Sequence, residues 1–182
     1  MDSGLGPDEP MHAAEVSVRP QRFPRIGVLR YFDPAGAFVA DIAAACGIMP
    51  KPLRAAICAV EPPGSEIILA CRSPTETLVL CTSVEAFLSL ERKTAGRIDG
   101  CLVDLTGGIG ACIVAGKRAP DLLARLGATT AIPALGDARV GRLAELTVTT
   151  LSVRPGEIML LVDRVFGDHL TAWMRETLAD LR

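Results

Sequence analysis

Between Thr77 and Thr149 the apolar runs of this chain follow the order strand, helix, strand, strand, helix, strand. That order restricts the fold more than any other feature. The runs "TLVLC", "CLVDLT", "IGACIVAG" and "RLAELTVTTL" are dense in the apolar residues that strands use, and "TSVEAFLSLERK" and "KRAPDLLARLG" carry helical spacing between them. A βαββαβ order of this kind predicts two layers, helices over a sheet, and it builds no obvious active site.

Composition narrows the function classes. With 182 residues the chain is long enough to bury roughly 70% of its unfolded surface without a disulfide or metal staple. Hydrophobic residues make up 49% and charged residues 22%, an apolar balance that leaves side chains over for a partner surface. A net charge of −2 argues against nucleic acid, where Lys and Arg must neutralise phosphates. No stretch reaches the roughly 20 apolar residues that span a bilayer. The acidic, Gly/Pro-rich start "MDSGLGPDEPMHAAE" is the reverse of a signal peptide, so a cytoplasmic location is expected. Cys46, Cys58, Cys71, Cys81, Cys101 and Cys112 form no C-x-x-C pair. They read as reduced, buried, structural thiols rather than zinc ligands or disulfides.

The expected organisation is an N-terminal extension over residues 1–30 and an α+β domain over 31–182. The first half of the extension reads as disordered. The second, "VSVRPQRFPRIGVLR", is either a solvated tail or an extended arm across another subunit, with Arg19, Arg22, Arg25 and Arg30 meeting carboxylates there. A first helix is predicted from an Asp33 cap and Pro34 to a stop at Gly47, burying Phe38, Ile42, Ala45 and Cys46. "LRAAICAV" and "EIILAC" are joined by the turn-rich "EPPGS", and "RSPTET" leads into "LVLC". Thr82 and Glu85 have capping-box spacing for a second helix with Val84, Phe87, Leu88 and Leu90 on its apolar face. The strands flanking "TGG" are expected to pair as a hairpin, with Gly107 and Gly108 in the turn. Helix "KRAPDLLARLG" has Pro120 in its first turn, Gly127 as its stop and Leu122, Leu123 and Leu126 inward. "RLAELTVTTLSV" and "EIMLLVD" are strands split by "RPG". A last helix carries Phe166, Leu170, Trp173, Met174, Thr177, Leu178 and Leu181 on one side, with Arg175 and Arg182 toward its carboxyl end. The fold class is therefore two-layer α+β, a ferredoxin-like βαββαβ core with extra antiparallel hairpins.

Reactive side chains are sparse. Gly107, Gly108 and Gly110 join two strands and lack the following Lys-Ser or Lys-Thr of a phosphate loop, so they read as turn glycines. His169 lies one helical turn from Trp173 without a nucleophile near it in sequence, and reads as a packing or solvent-facing residue rather than a general base. His12 lies in the leader. Asp104 interrupts an apolar strand and is expected to accept hydrogen bonds at the following turn with help from Thr106; a catalytic carboxylate is the lesser reading. Trp173 and Met174 form an apolar anchor suited equally to a core or an interface. From the residues themselves no catalytic, cofactor-binding or metal-binding residue is assigned.

The segments "ILACRSPTETLVLC", "CLVDLTGGIGACIVAGKRAPDLLARLG" and "IMLLVDRVFGDHLTAWM" resemble the gamma subunit of heterotetrameric sarcosine oxidase. That subunit is related to the glycine-cleavage aminomethyltransferase and its folate-binding fold. The resemblance runs from about Pro52 to the C-terminus. It is strongest at Asp104-Leu105-Thr106, from Gly116 to Leu126, and at Arg164-Val165-Phe166 leading to Leu170 and Trp173. It implies a non-catalytic structural subunit that binds no cofactor itself. The implied complex uses FAD, FMN, NAD and tetrahydrofolate, held by larger alpha and beta flavoprotein subunits beside a small zinc-binding delta subunit. No folate-handling carboxylate maps onto a matching motif here. The alternative is a free-standing folate-dependent one-carbon protein. A ferredoxin-like regulatory or RNA-binding module is a third class, disfavoured by acidic charge and by the lack of paired strand aromatics.

Overall fold

A computed structural model describes residues 10–13, 15–127 and 130–181. Its strands and helices are β1 (Met11–Ala13), β2 (Val16–Gln21), β3 (Arg25–Tyr31), α1 (Ala37–Cys46), β4 (Ala55–Val60), β5 (Ser65–Ser73), β6 (Glu76–Cys81), α2 (Val84–Thr94), β7 (Gly100–Asp104), β8 (Ile109–Ala115), α3 (Ala119–Arg125), β9 (Ala138–Leu143), β10 (Leu146–Leu151), β11 (Glu157–Asp163) and α4 (Gly167–Ala179). They form two antiparallel sheets, β4-β5-β6-β3-β7 and β1-β2-β8-β11-β10-β9. The chain divides accordingly into a central unit, Phe23–Thr106, and a split unit made of the segment up to Arg22 with Gly107–Arg182.

Both units have one topology. In the central unit β3, α1, β5, β6, α2 and β7 follow one another, and their strands stand in the order β5-β6-β3-β7. This is the ferredoxin-like arrangement, with β4 added outside β5. In the split unit β8, α3, β10, β11 and α4 repeat it, with β9 added outside β10. The fourth strand, however, is β2, delivered from the far end of the chain.

The two-layer α+β class therefore stands, but the strands are shared out differently from the sequence expectation. The strands flanking "TGG" do not pair. β7 pairs with β3, and β8 pairs with β2 and β11, because residues taken for a tail supply partners to both. Gly107, at φ +84°, turns the chain from one sheet to the other. The expected boundary at residue 30 is displaced too, since β2 and β3 are sheet strands with Val18 and Ile26 fully buried. The disorder expected of residues 1–9 lies outside the described residues, as does Arg182. "RLAELTVTTLSV" is two strands, broken at Ala144 and Glu145 with φ of +47° and +66°.

Each sheet packs two helices on one face. In the central unit Leu29, Tyr31, Leu69, Val79 and Cys81 meet Phe38 and Ile42 of α1 and Phe87 and Leu90 of α2. In the split unit Val16, Val18, Cys112, Val114, Leu160 and Val162 meet Leu122 and Leu123 of α3 and Leu170, Met174 and Leu178 of α4. Helix starts differ slightly from expectation. Ser83, not Thr82, caps α2 by accepting from the Ala86 amide at 3.2 Å, while Thr82 Oγ1 accepts from the Glu66 amide. Gly36 precedes α1, and Asp33 instead accepts from the Ala35 amide in a local turn. Gly47 and Gly127 end their helices at positive φ as the spacing implied.

Candidate functional site

A cavity of about 680 Å³ opens in the central unit, lined by side chains from the end of β3, the β5–β6 turn and the α2–β7 connection. Its apolar wall is Tyr31, Phe32 and Ile98. Phe32 is 83% and Ile98 93% exposed, an unfavourable arrangement for large apolar side chains unless something covers them. Glycine shapes the wall. A Cβ at Gly100 would stand 2.7 Å from the Phe38 ring, so only glycine lets β7 start this close to α1. Phe38 in turn stacks on Tyr31, with ring centroids 6.0 Å apart, and carries the Arg97 guanidinium 5.5 Å from its centroid.

The charges around the cavity are paired within the protein. Arg97 grips Asp99 with two hydrogen bonds of 2.8 and 2.6 Å, and it also holds Asp41. The Asp99 carboxyl is held below its usual range by Arg97, and the guanidinium is pushed further up chiefly by its hydrogen bond to Asp99. Glu76 accepts from Arg30 at 3.2 Å and from Arg72 on its other oxygen. Burial pushes the Tyr31 phenol up to about 12, against the 3.0 Å hydrogen bond it shares with Thr77. With Tyr31 protonated and Glu76 and Arg97 ion-paired, the cavity presents shape and apolar surface beside the exposed Cys101 thiol.

Residues singled out in the sequence fall into place separately. Asp104 ends β7, accepting from the Thr106 amide at 2.7 Å and from Arg25 at 3.0 Å, while Thr106 Oγ1 accepts from the Ile26 amide. Burial pushes its carboxyl up, but the bonds from Thr106 and Arg25 prevail and hold it below its ordinary value. It locks a turn, as expected. Arg19 and Arg30 likewise meet Glu157 and Glu76 of this chain. His169 is exposed, its Nε2 3.2 Å from the Ala144 carbonyl oxygen and its ring tilted against Trp173. Met174 is fully buried, whereas Trp173 is 46% exposed, so the expected anchor divides between core and surface. His12 is an exposed residue of β1 paired with Ser17. All six cysteines are free thiols, and Cys101 alone among them is exposed, a departure from the buried reading. Burial pushes the Cys81 and Cys112 thiols up to about 12. Among the described residues no group of three His, Cys, Asp or Glu could hold a metal.

No local sequence signal marks this cavity. Phe32 and Ile98 are isolated apolar residues in polar loops, and only the pairing of β3 with β7 brings them together.

The whole-chain geometry has clear parallels among solved structures. A chain of heterotetrameric sarcosine oxidase from Corynebacterium sp. U-96 superposes with a TM-score of 0.76, covering 94% of this chain and 87% of that one at 17% identity. The fold is that of a sarcosine oxidase chain. The glycine cleavage system aminomethyltransferase T from Bartonella henselae is also similar, with a TM-score of 0.64 at 13% identity. It covers 82% of this chain, which in turn spans only 42% of that one. No family model matches the sequence, and no curated protein matches it. At these identities the likeness establishes the shared fold.

Proposed function

We propose that this chain is a gamma-type, non-catalytic subunit of a cytoplasmic sarcosine oxidase-like complex that oxidatively demethylates sarcosine or a related N-methyl amino acid. The observation that carries the proposal is the high mutual coverage, 94% of this chain and 87% of one chain of a heterotetramer. The sequence resemblance to the gamma subunit points the same way. In this reading FAD, FMN, NAD and tetrahydrofolate belong to larger alpha and beta subunits and zinc to a small delta subunit, and this chain contributes shape.

Side chains on its surface support that role. Phe32, Ile98 and Val165 are each more than four-fifths exposed and gain by being covered. Both carboxylates at the side of the central cavity, Glu76 and Asp99, are committed to Arg30, Arg72 and Arg97, which supports a reading without a pterin there. The alternative, a free-standing folate-dependent one-carbon protein, draws on the aminomethyltransferase fold.

Co-expression of the full chain with candidate alpha and beta flavoprotein subunits of such a complex tests the proposal. It should copurify with them in fixed ratio, and titration of the chain alone with a reduced folate should give no heat of binding. A well-behaved monomer that ignores those subunits defeats the reading, and folate binding by the chain alone favours the alternative.

A further inference from the structure

β7 ends the central sheet with one side unpaired among the described strands. The Leu105 amide donates to the Ile26 carbonyl oxygen at 2.8 Å, and Asp99 accepts from the Phe32 amide at 3.2 Å. Alternate residues of an antiparallel strand bond to opposite sides. Cys101 and Val103 therefore face β3 with their backbone groups, and Gly100, Leu102 and Asp104 direct theirs outward. Edges of this kind are templates for another chain, and proteins usually blunt them with Lys, Arg, Pro or a covering element. From Gly100 to Val103 the strand carries none of those residues, and Val103 is 40% exposed.

The split unit shows what the same topology does with this edge. β2 holds the position there that β7 holds in the central unit, and its outer side carries β1, pairing Met11 with Val18 and Ala13 with Val16. At the opposite edge the counterparts β4 and β9 both end their sheets. Comparison of the two units thus marks β7 as the edge that, among the described strands, lacks the cover its twin possesses. The cavity lies beside it, with Gly100 and Cys101 in its lining next to exposed Phe32 and Ile98.

We infer that β7 receives an extended segment of the larger flavoprotein subunit as an added antiparallel strand, which inserts an apolar side chain against Phe32 and Ile98. This rests on the subunit reading above and names the surface through which it works. Backbone bonds to Gly100, Leu102 and Asp104 supply attachment, and the cavity supplies selectivity for an aromatic or branched aliphatic residue. The committed ion pairs around the cavity leave an apolar group as the occupant that strands no charge.

The test uses the full chain co-expressed with the flavoprotein subunits. In the purified complex the Leu102 and Asp104 amides should exchange with solvent at least about tenfold more slowly than an unpaired edge allows. Cys101 should resist maleimide labelling in the complex and react in the free chain. Val103→Lys, which places a charge on the edge, and Ile98→Asp, which alters the cavity rim alone, should each weaken assembly about tenfold or more. Ala59→Lys on β4 should leave assembly unchanged. A complex that forms normally with Val103→Lys and Ile98→Asp, or in which Leu102 and Asp104 exchange freely, overturns the inference while the subunit reading stands. Failure of the wild-type chain to assemble overturns both. A dimer of this chain alone that Val103→Lys disperses overturns the assignment of the occupant, replacing it with a second copy.

Discussion

The central and split units reach the same strand order by different routes. From β3 to β7 the central unit closes on consecutive residues, whereas the split unit takes its fourth strand from the opposite end of the chain. Their cores differ as well. Phe38, Phe87 and Tyr31 fill the central unit, while the split unit relies on aliphatic side chains and Met174. The edges differ most consequentially, for β1 covers β2 and no described strand covers β7. One topology thus carries a further strand at this edge in the split unit and no described strand there in the central unit.

Removal of residues 1–21 should have the largest effect, because it deletes Val16 and Val18, 4% and 0% exposed, and bares β8. Burial of the two valines alone contributes roughly 3–6 kcal/mol. Amide protection in β8 and β11 should collapse, and unchanged protection there would contradict the borrowed-strand account. Phe87→Ala should cost about 3–5 kcal/mol by chemical denaturation, and Leu122→Ala in the aliphatic core about 2–5 kcal/mol. A negligible loss at Phe87 would remove the aromatic distinction between the units.

Gly116→Ala probes how the split unit accommodates its borrowed segment. Gly116 has φ of +113°, and a Cβ there would lie 2.1 Å from the Glu15 carbonyl oxygen. The substitution should cost at least about 1–3 kcal/mol, read from the denaturation midpoint. Asp104→Asn should have the smallest effect, below about 1 kcal/mol, since the Arg25 pair is partly exposed. Its pH dependence is specific. The folded carboxyl titrates below its ordinary value of 3.8, so its stabilisation is complete above about that pH and is lost as pH falls through the lower folded value. Acid unfolding curves of wild type and Asp104→Asn should converge at low pH, and curves that stay parallel would refute the pairing.

Local signals in the sequence were legible and long-range pairings were not. Gly47 and Gly127 after helical stripes, Pro120 in a first turn, and the Asp104–Thr106 turn are each decided by neighbouring residues, and each was readable. β2 was hidden because "VSVRPQ" mixes Arg and Pro with two valines. Pro20 is tolerated there because β1 pairs only with Val16–Val18, leaving the Pro20 end of the strand uncovered on that side. The Ala144–Glu145 turn has positive φ without the Gly or Asn that announces such turns, so one apolar run was read where two strands exist. Adjacent strands usually pair, so the spacing around "TGG" suggests a hairpin, whereas β3, from the N-terminal side, takes β7 instead. The cavity depended on that same pairing and had no signal of its own.

The proposed role of this chain is docking onto larger, redox-active subunits. Native mass spectrometry of the co-expressed assembly tests that most directly. This chain is expected in fixed ratio with flavoprotein subunits, and it should be released free of flavin and folate when the complex is dissociated. A chain released with bound flavin or folate, or found only as a monomer that oxidises an N-methyl amine unaided, would contradict it.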